Sequence, residues 1–206
     1  MITENQNIST VNEAILLLKE INYIKNYNIY NKISNLEIFS IHRETFYHLF
    51  RCQELAFYFS QVLMLSGDKK ITLIEGCLLH DIGKLTLDPK LLYKKDKLSK
   101  DEYLYIKKHT EFKSPILSLD INTLIRLHHK KLCLLRYNNL YEILKIILII
   151  DAYDAMNNKR SYKDKLSYEK IKIEIFNNLN IQFDEEYSTK FLLFLDLFNK
   201  EKTLLL

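Results

Sequence analysis

Tryptophan is absent from the 206 residues, and glycine (3) and proline (2) are scarce. So little turn chemistry excludes the many-turned sandwiches and barrels, collagen, and low-complexity linkers. The three cysteines, Cys52, Cys77 and Cys133, show no Cys-x-x-Cys spacing. An odd number of scattered thiols fits a reducing cytosol better than a secreted disulfide framework. The opening Met-Ile-Thr-Glu-Asn-Gln-Asn has no basic segment leading into an apolar one, so no signal peptide is expected. No apolar run exceeds five residues, as at Ile146–Ile150, against about 20 for a membrane-spanning helix. An excess of one charge is missing too: 30 basic and 26 acidic residues leave a net +4, with the lysines spread along the chain. Neither a stable nucleic-acid partner nor a membrane is expected. The expected setting is cytoplasmic and soluble.

What is present is helical periodicity and 48% hydrophobic residues, enough for one all-α bundle over 1–206 with a real core. Thr10-Val-Asn-Glu13 reads as a capping box that opens a helix running to about residue 29 and packing on the bundle or forming a dimer contact. A long helix is expected from about Asn35 to Leu65, stopped at Ser66-Gly67 by a left-handed glycine. Asp68 should open the next, ending near His80-Asp81, with Gly83 breaking it in a tight turn and Pro89 in a short connection. Ser99-Lys-Asp-Glu102 is a second capping box, for a helix to about residue 112. Beyond Pro115, Asp120 can cap a helix through His128-His129, and Asn138 or Asn139 can begin the helix carrying Ile146 to Met156. The run Ile146–Ile150 is β-branched, yet no second strand-like segment exists to pair with it. Helices at about 167–178 and 185–200 follow Ser167 and Asp184.

The chemistry lies in the histidines. His80-Asp81 ends an apolar helix; His48 precedes it, and His109, His128-His129 and Asp151 follow. Imidazole and carboxylate together bind iron, manganese or zinc, and a carboxylate can bridge two ions. No thiolate joins the set, which disfavours a structural zinc site. Glu44 and His48 stand four apart on one helical face. Clustered divalent ions lower the pKa of a bridging water and hold it against phosphorus, while Lys84, three residues beyond Asp81, is placed to touch the phosphate. Arg160 and Lys163 offer a guanidinium fork and a point charge to phosphate, though their polar stretch also reads as a solvated loop. His42 reads as a surface or packing residue, and Asp154 as a group that orients a ligand or caps locally.

Leu-Leu-His80-Asp81-Ile-Gly83-Lys84 resembles the signature of the HD phosphohydrolase superfamily, and its surroundings resemble the HD-GYP branch. Glu44 and His48 match that branch's glutamate and histidine one turn apart, His128-His129 its double histidine, and Asp151 the final aspartate of its ligand series, in an Asp-x-x-Asp-Ala motif. Arg160-Ser-Tyr162-Lys163 is similar to a phosphate-holding Arg-Pro-Tyr-Lys stretch, and Phe183-Asp184 to a closing Phe-Asp element. The likeness covers about residues 14–200. It implies two or three divalent ions, iron or manganese, held by Glu44, His48, His80, Asp81, His109, His128, His129 and Asp151. Asp81 and Lys84 would be catalytic, and Lys84, Arg160 and Lys163 would bind substrate. The implied reaction is hydrolysis of cyclic di-GMP or a related cyclic nucleotide.

One segment departs from the branch. After His128-His129 the chain reads Lys130-Lys-Leu-Cys-Leu-Leu-Arg136-Tyr137, without the glycine, tyrosine and proline that name the branch and line its substrate pocket. Two other readings therefore stay open: a nucleotide-binding regulatory module with a homodimeric or regulatory partner, and a hydrolase of another phosphorylated nucleotide. Tyr137 and Tyr162 are the tyrosines most open to base stacking.

Overall fold

The computed structural model of the protein describes residues 4–21, 35–159 and 164–204. Its helices are α1 (Glu4–Ile21), α2 (Glu37–Ile41), α3 (Arg43–Val62), α4 (Gly67–Leu79) and α5 (Pro89–Leu92). They continue as α6 (Lys100–Lys107), α7 (Leu119–Leu127), α8 (Tyr141–Asn157), α9 (Tyr168–Asn177) and α10 (Glu185–Leu204). Tight 3-10 turns follow α4 (Ile82–Thr86), α6 (Lys108–Glu111) and α7 (Leu132–Leu134). Among the described residues the strand-like pairing is an isolated bridge between Leu179 and Phe183, so the fold is all-α, as expected. No described helix is long and apolar enough to cross a membrane.

The β-branched run settles inside α8, where Ile143, Leu144 and Ile146–Ile150 are all buried. A helix apolar on every side belongs in the interior, and α3, α4, α9 and α10 surround it. The helix α1 lays Val11, Ala14, Ile15 and Leu18 into the same core, each with no exposed surface. That i, i+3, i+4, i+7 spacing makes one apolar stripe, packed on α4 and the 82–86 turn. At about 1.5–3 kcal/mol for each large aliphatic buried, α1 is part of the core.

Several boundaries differ from those expected. Thr10 lies within α1, which begins at Glu4; a capping box permits a start, and the polar residues before it continue the helix at small cost. The expected 22–29 end of this helix falls outside the described residues. The long helix from 35 to 65 breaks at His42, which is buried with its Nδ1 3.1 Å from the Tyr93 hydroxyl. His42 therefore packs. Met64, at φ 52°, takes the left-handed position that ends α3, and Leu65 N–H reaches back to the Ser60 carbonyl at 3.0 Å. Gly67 is also left-handed but opens α4. Ser118, rather than Asp120, caps α7 by accepting from Ile121 N–H at 3.2 Å. Asn138 accepts from Leu140 N–H at 2.8 Å just ahead of α8, so that helix starts at Tyr141. The second capping box forms as read: Glu102 N–H donates to Ser99 Oγ at 3.2 Å, and Ser99 N–H to Glu102 Oε2 at 2.7 Å. Its α-helix stops at Lys107 and tightens into the 108–111 turn.

Gly83 is required by a close approach rather than by a left-handed turn. A Cβ there would lie 2.1 Å from the His109 carbonyl oxygen and 2.7 Å from Phe112 Cβ. At Gly76, where α7 and α8 cross α4, a Cβ meets only side-chain tips, Leu124 Cδ1 at 2.7 Å and Ile147 Cδ1 at 3.0 Å. Tips can rotate away and alanine favours the helix, whereas the backbone at His109 cannot yield without moving the histidine. In denaturant unfolding, Gly83→Ala is expected to cost about 3 kcal/mol and Gly76→Ala about 1 kcal/mol; equal costs would contradict this difference.

Candidate metal centre

Separate stretches of chain converge where helices end. From α3 comes His48, from the end of α4 His80 and Asp81, from the 108–111 turn His109, from the end of α7 His128 and His129, and from α8 Asp151. The last carbonyls of a helix lack partners within it, and three of the histidines use carbonyls of this kind. His80 Nδ1–H donates to Cys77 O at 2.9 Å, His109 Nδ1–H to Ile106 O at 2.6 Å, and His128 Nδ1–H to Ile125 O at 2.8 Å. His48 Nδ1–H donates instead to Asp154 Oδ2 at 2.7 Å. In all four rings Nδ1 thus carries a proton, and Nε2 is the atom turned toward a cation. Burial pushes the His128 pKa below the usual imidazole value, which favours the neutral ring a metal needs.

Asp81 divides these donors into two groups. Its Oδ2 lies 3.4 Å from His48 Nε2 and 3.7 Å from His80 Nε2, with Asp151 Oδ1 3.3 Å from His48 Nε2. Its Oδ1 lies 3.1 Å from His109 Nε2 and 3.5 Å from His128 Nε2, with the exposed His129 completing that group. Within a group, His48 and His80 bring their Nε2 atoms to 3.2 Å, and His109 and His128 to 3.4 Å. These are the spacings of neighbouring ligands around one ion at about 2.1 Å per bond. Asp81 Oδ1 is buried and accepts no hydrogen bond. Burial opposes ionisation of Asp81, but the Lys84 ammonium beside it overrides that and holds the carboxyl well below the usual carboxylate range. The donor set of imidazoles and carboxylates fits divalent cations, with one Asp81 oxygen toward each group.

Other candidates have different places. Glu44, one turn before His48 on α3, joins neither donor group and lines the adjoining cavity of about 440 Å³. Lys84 lines the same cavity, with its Nζ donating to Asp81 Oδ2. Arg160, Tyr162 and Lys163 lie outside the described residues; Lys159, just before them, is on the cavity wall. Tyr137 is 94% exposed and is not part of that wall, nor is any residue of 130–140.

Asp154 is a positioning group. Besides fixing His48 it receives Arg51 Nε on Oδ1 at 2.7 Å and an Arg51 terminal N–H on Oδ2 at 2.9 Å. Arg51 was not singled out from the sequence, although it stands one turn after His48 on the same face. Cys52 was also missed. Its Sγ lies 3.6 Å from His48 Nδ1; burial pushes its thiol up to about 11, so it remains protonated beside the donors. Removing the anion behind His48 loosens the ring without touching a donor atom. Asp154→Asn is expected to weaken manganese or iron binding about 10- to 100-fold, read by titration calorimetry; unchanged affinity would remove Asp154 from this role.

With this geometry in hand, the comparisons with known proteins are specific. The chain is 28% identical to 3'3'-cGAMP-specific phosphodiesterase 2 of Vibrio cholerae serotype O1, over 86% of this chain and 36% of that protein. It is 30% identical to 3'3'-cGAMP-specific phosphodiesterase 3 of the same organism, over 60% of this chain and 29% of that protein. It thus spans about a third of the length of these curated relatives. The HD domain matches residues 45–156, a span that includes every donor in the two groups, with Glu44 one residue before it. The chain belongs to the HD domain family.

Proposed function

We propose that the protein is a metal-dependent phosphodiesterase that opens a cyclic dinucleotide, 3'3'-cGAMP or cyclic di-GMP, as a degenerate relative of the HD-GYP branch. The observation that carries this is the buried Asp81 carboxylate with one oxygen toward each histidine group. Similarity to two phosphodiesterases named for 3'3'-cGAMP supports the substrate class.

The proposed ligands are His48, His80, Asp81 and Asp151 for one ion and Asp81, His109, His128 and His129 for the other. Glu44 stands on the cavity side where a third would be held. Iron or manganese suits this set of imidazoles and carboxylates. Such ions polarise a phosphoryl oxygen and lower the pKa of a coordinated water. The chain's own groups do the rest. Lys84, close to Asp81 and only partly exposed, meets the charge that develops on the nonbridging phosphoryl oxygens. Lys159, also on the cavity wall, adds positive charge for the second phosphate. In the net reaction one water adds: its oxygen bonds to phosphorus, one phosphorus–oxygen ester bond breaks, and the departing ribose oxygen gains a proton. The product is the linear dinucleotide.

The manganese- or iron-loaded protein is expected to convert 3'3'-cGAMP or cyclic di-GMP to a linear dinucleotide, followed by chromatography. The joint change His80→Ala and Asp81→Ala should lower turnover at least about 1000-fold, since it removes a donor from both groups, Asp81 being common to them. Binding without cleavage would favour the regulatory module instead. Cleavage that survives the double change would remove the centre from the reaction.

A further inference from the structure

We infer that the rings of Tyr47 and Tyr103 are the platforms on which this protein stacks the two bases of its substrate, replacing base recognition by the segment after the double histidine. The inference rests on the cyclic-dinucleotide reading above and names the part of the same site that recognises the bases. Both rings line the cavity that holds Asp81 and Lys84, and both are about half exposed, at 47% and 51%. A large aromatic left half in water on the wall of a polar cavity offers a free face, and stacking uses ring faces without needing hydrogen-bond readout.

Each ring is held from behind. Tyr47, beside His48 on α3, meets the edge of Phe39 with ring centres 5.9 Å apart. Tyr103, on α6, has Lys107 Nζ 4.8 Å from its ring centre. The wall that carries Tyr103 is itself anchored: Lys94 Nζ donates to both Glu102 oxygens at 2.8 and 2.9 Å, and Glu102 closes the capping box with Ser99. Tyr93, a third ring on this wall, has its hydroxyl engaged by Thr45 at 2.9 Å and His42 at 3.1 Å, which makes it a fixed wall. The segment 130–140 contributes nothing to the cavity, and its Tyr137 points into solvent. Two platforms suit the two bases of one cyclic dinucleotide.

The test is titration calorimetry of the full manganese-loaded chain with a bisphosphorothioate analogue of 3'3'-cGAMP, which resists cleavage, and separately with ribose 5-phosphate, which has no base. Tyr47→Ala and Tyr103→Ala are each expected to weaken the dinucleotide analogue about tenfold and ribose 5-phosphate less than twofold. Tyr47→Phe and Tyr103→Phe should bind as the natural protein does, because the ring is kept. Alanine variants that bind the analogue normally overturn the platforms, as do variants that lose both probes equally or phenylalanine variants that lose as much. If the natural protein binds the analogue through these tyrosines but does not cleave 3'3'-cGAMP, the hydrolase reading fails and the platforms stand. If it cleaves while the alanine variants bind unchanged, only the platforms fail.

Discussion

Asp81 is a buried carboxylate that must serve two directions at once, and the architecture around it follows from that requirement. Its two oxygens face different pairs of imidazole nitrogens, so the residue has to sit between three helix ends and the side of α3 rather than on the flank of one helix. A carboxylate in that position would gain a proton by burial alone. Lys84 keeps it ionised from within the same turn, and the short 82–86 turn puts that lysine on the cavity side. The dipeptide His80-Asp81 works because the helix stops there: its first member takes a carbonyl of the last turn, and its second leaves the helix axis.

Ending helices at a common point solves the orientation problem for the histidines as well. A free imidazole can bind through either nitrogen. Donating Nδ1–H to a carbonyl three residues back removes that choice in His80, His109 and His128 and leaves Nε2 for the cation. His48 sits well inside α3, where carbonyls are already taken, and so needs a side-chain acceptor. Asp154 supplies it from α8, and Arg51 in turn keeps Asp154 charged and in place. Gly83 belongs to the same construction, because only a residue without a side chain lets the 82–86 turn approach the carbonyl of His109.

Much of this was legible in the chain before folding was considered. Periodicity gave the all-α class, and seven of the eight expected ligands fall into the two donor groups. Local signals were less decisive where they competed. Met64 shows that a left-handed cap does not need glycine when the side chain points into water, at 86% exposure. Ser118 displaced Asp120 as a cap by two positions. Arg51 carries no motif of its own, and its contact with Asp154 exists only because α3 and α8 meet. Arg51 and Asp154 are 103 residues apart in sequence, and nothing local links them. Tyr137 was attractive because of its place after the double histidine, yet the short 132–134 turn leaves it pointing away from the cavity.

A site of this kind sets a condition on the rest of the molecule. Two pairs of imidazole nitrogens held at 3.2 and 3.4 Å, together with buried carboxylates, carry a desolvation cost. Cations bound to the folded state alone would offset it by mass action. The scaffold must therefore hold without help from the centre. The fully buried aliphatics of α8, the stripe of α1 and the Phe59, Phe191 and Phe194 cluster that joins α3 to α10 lie in the hydrophobic core rather than among the donors. The apolar core fixes where the helices end, and the helix ends fix the donors.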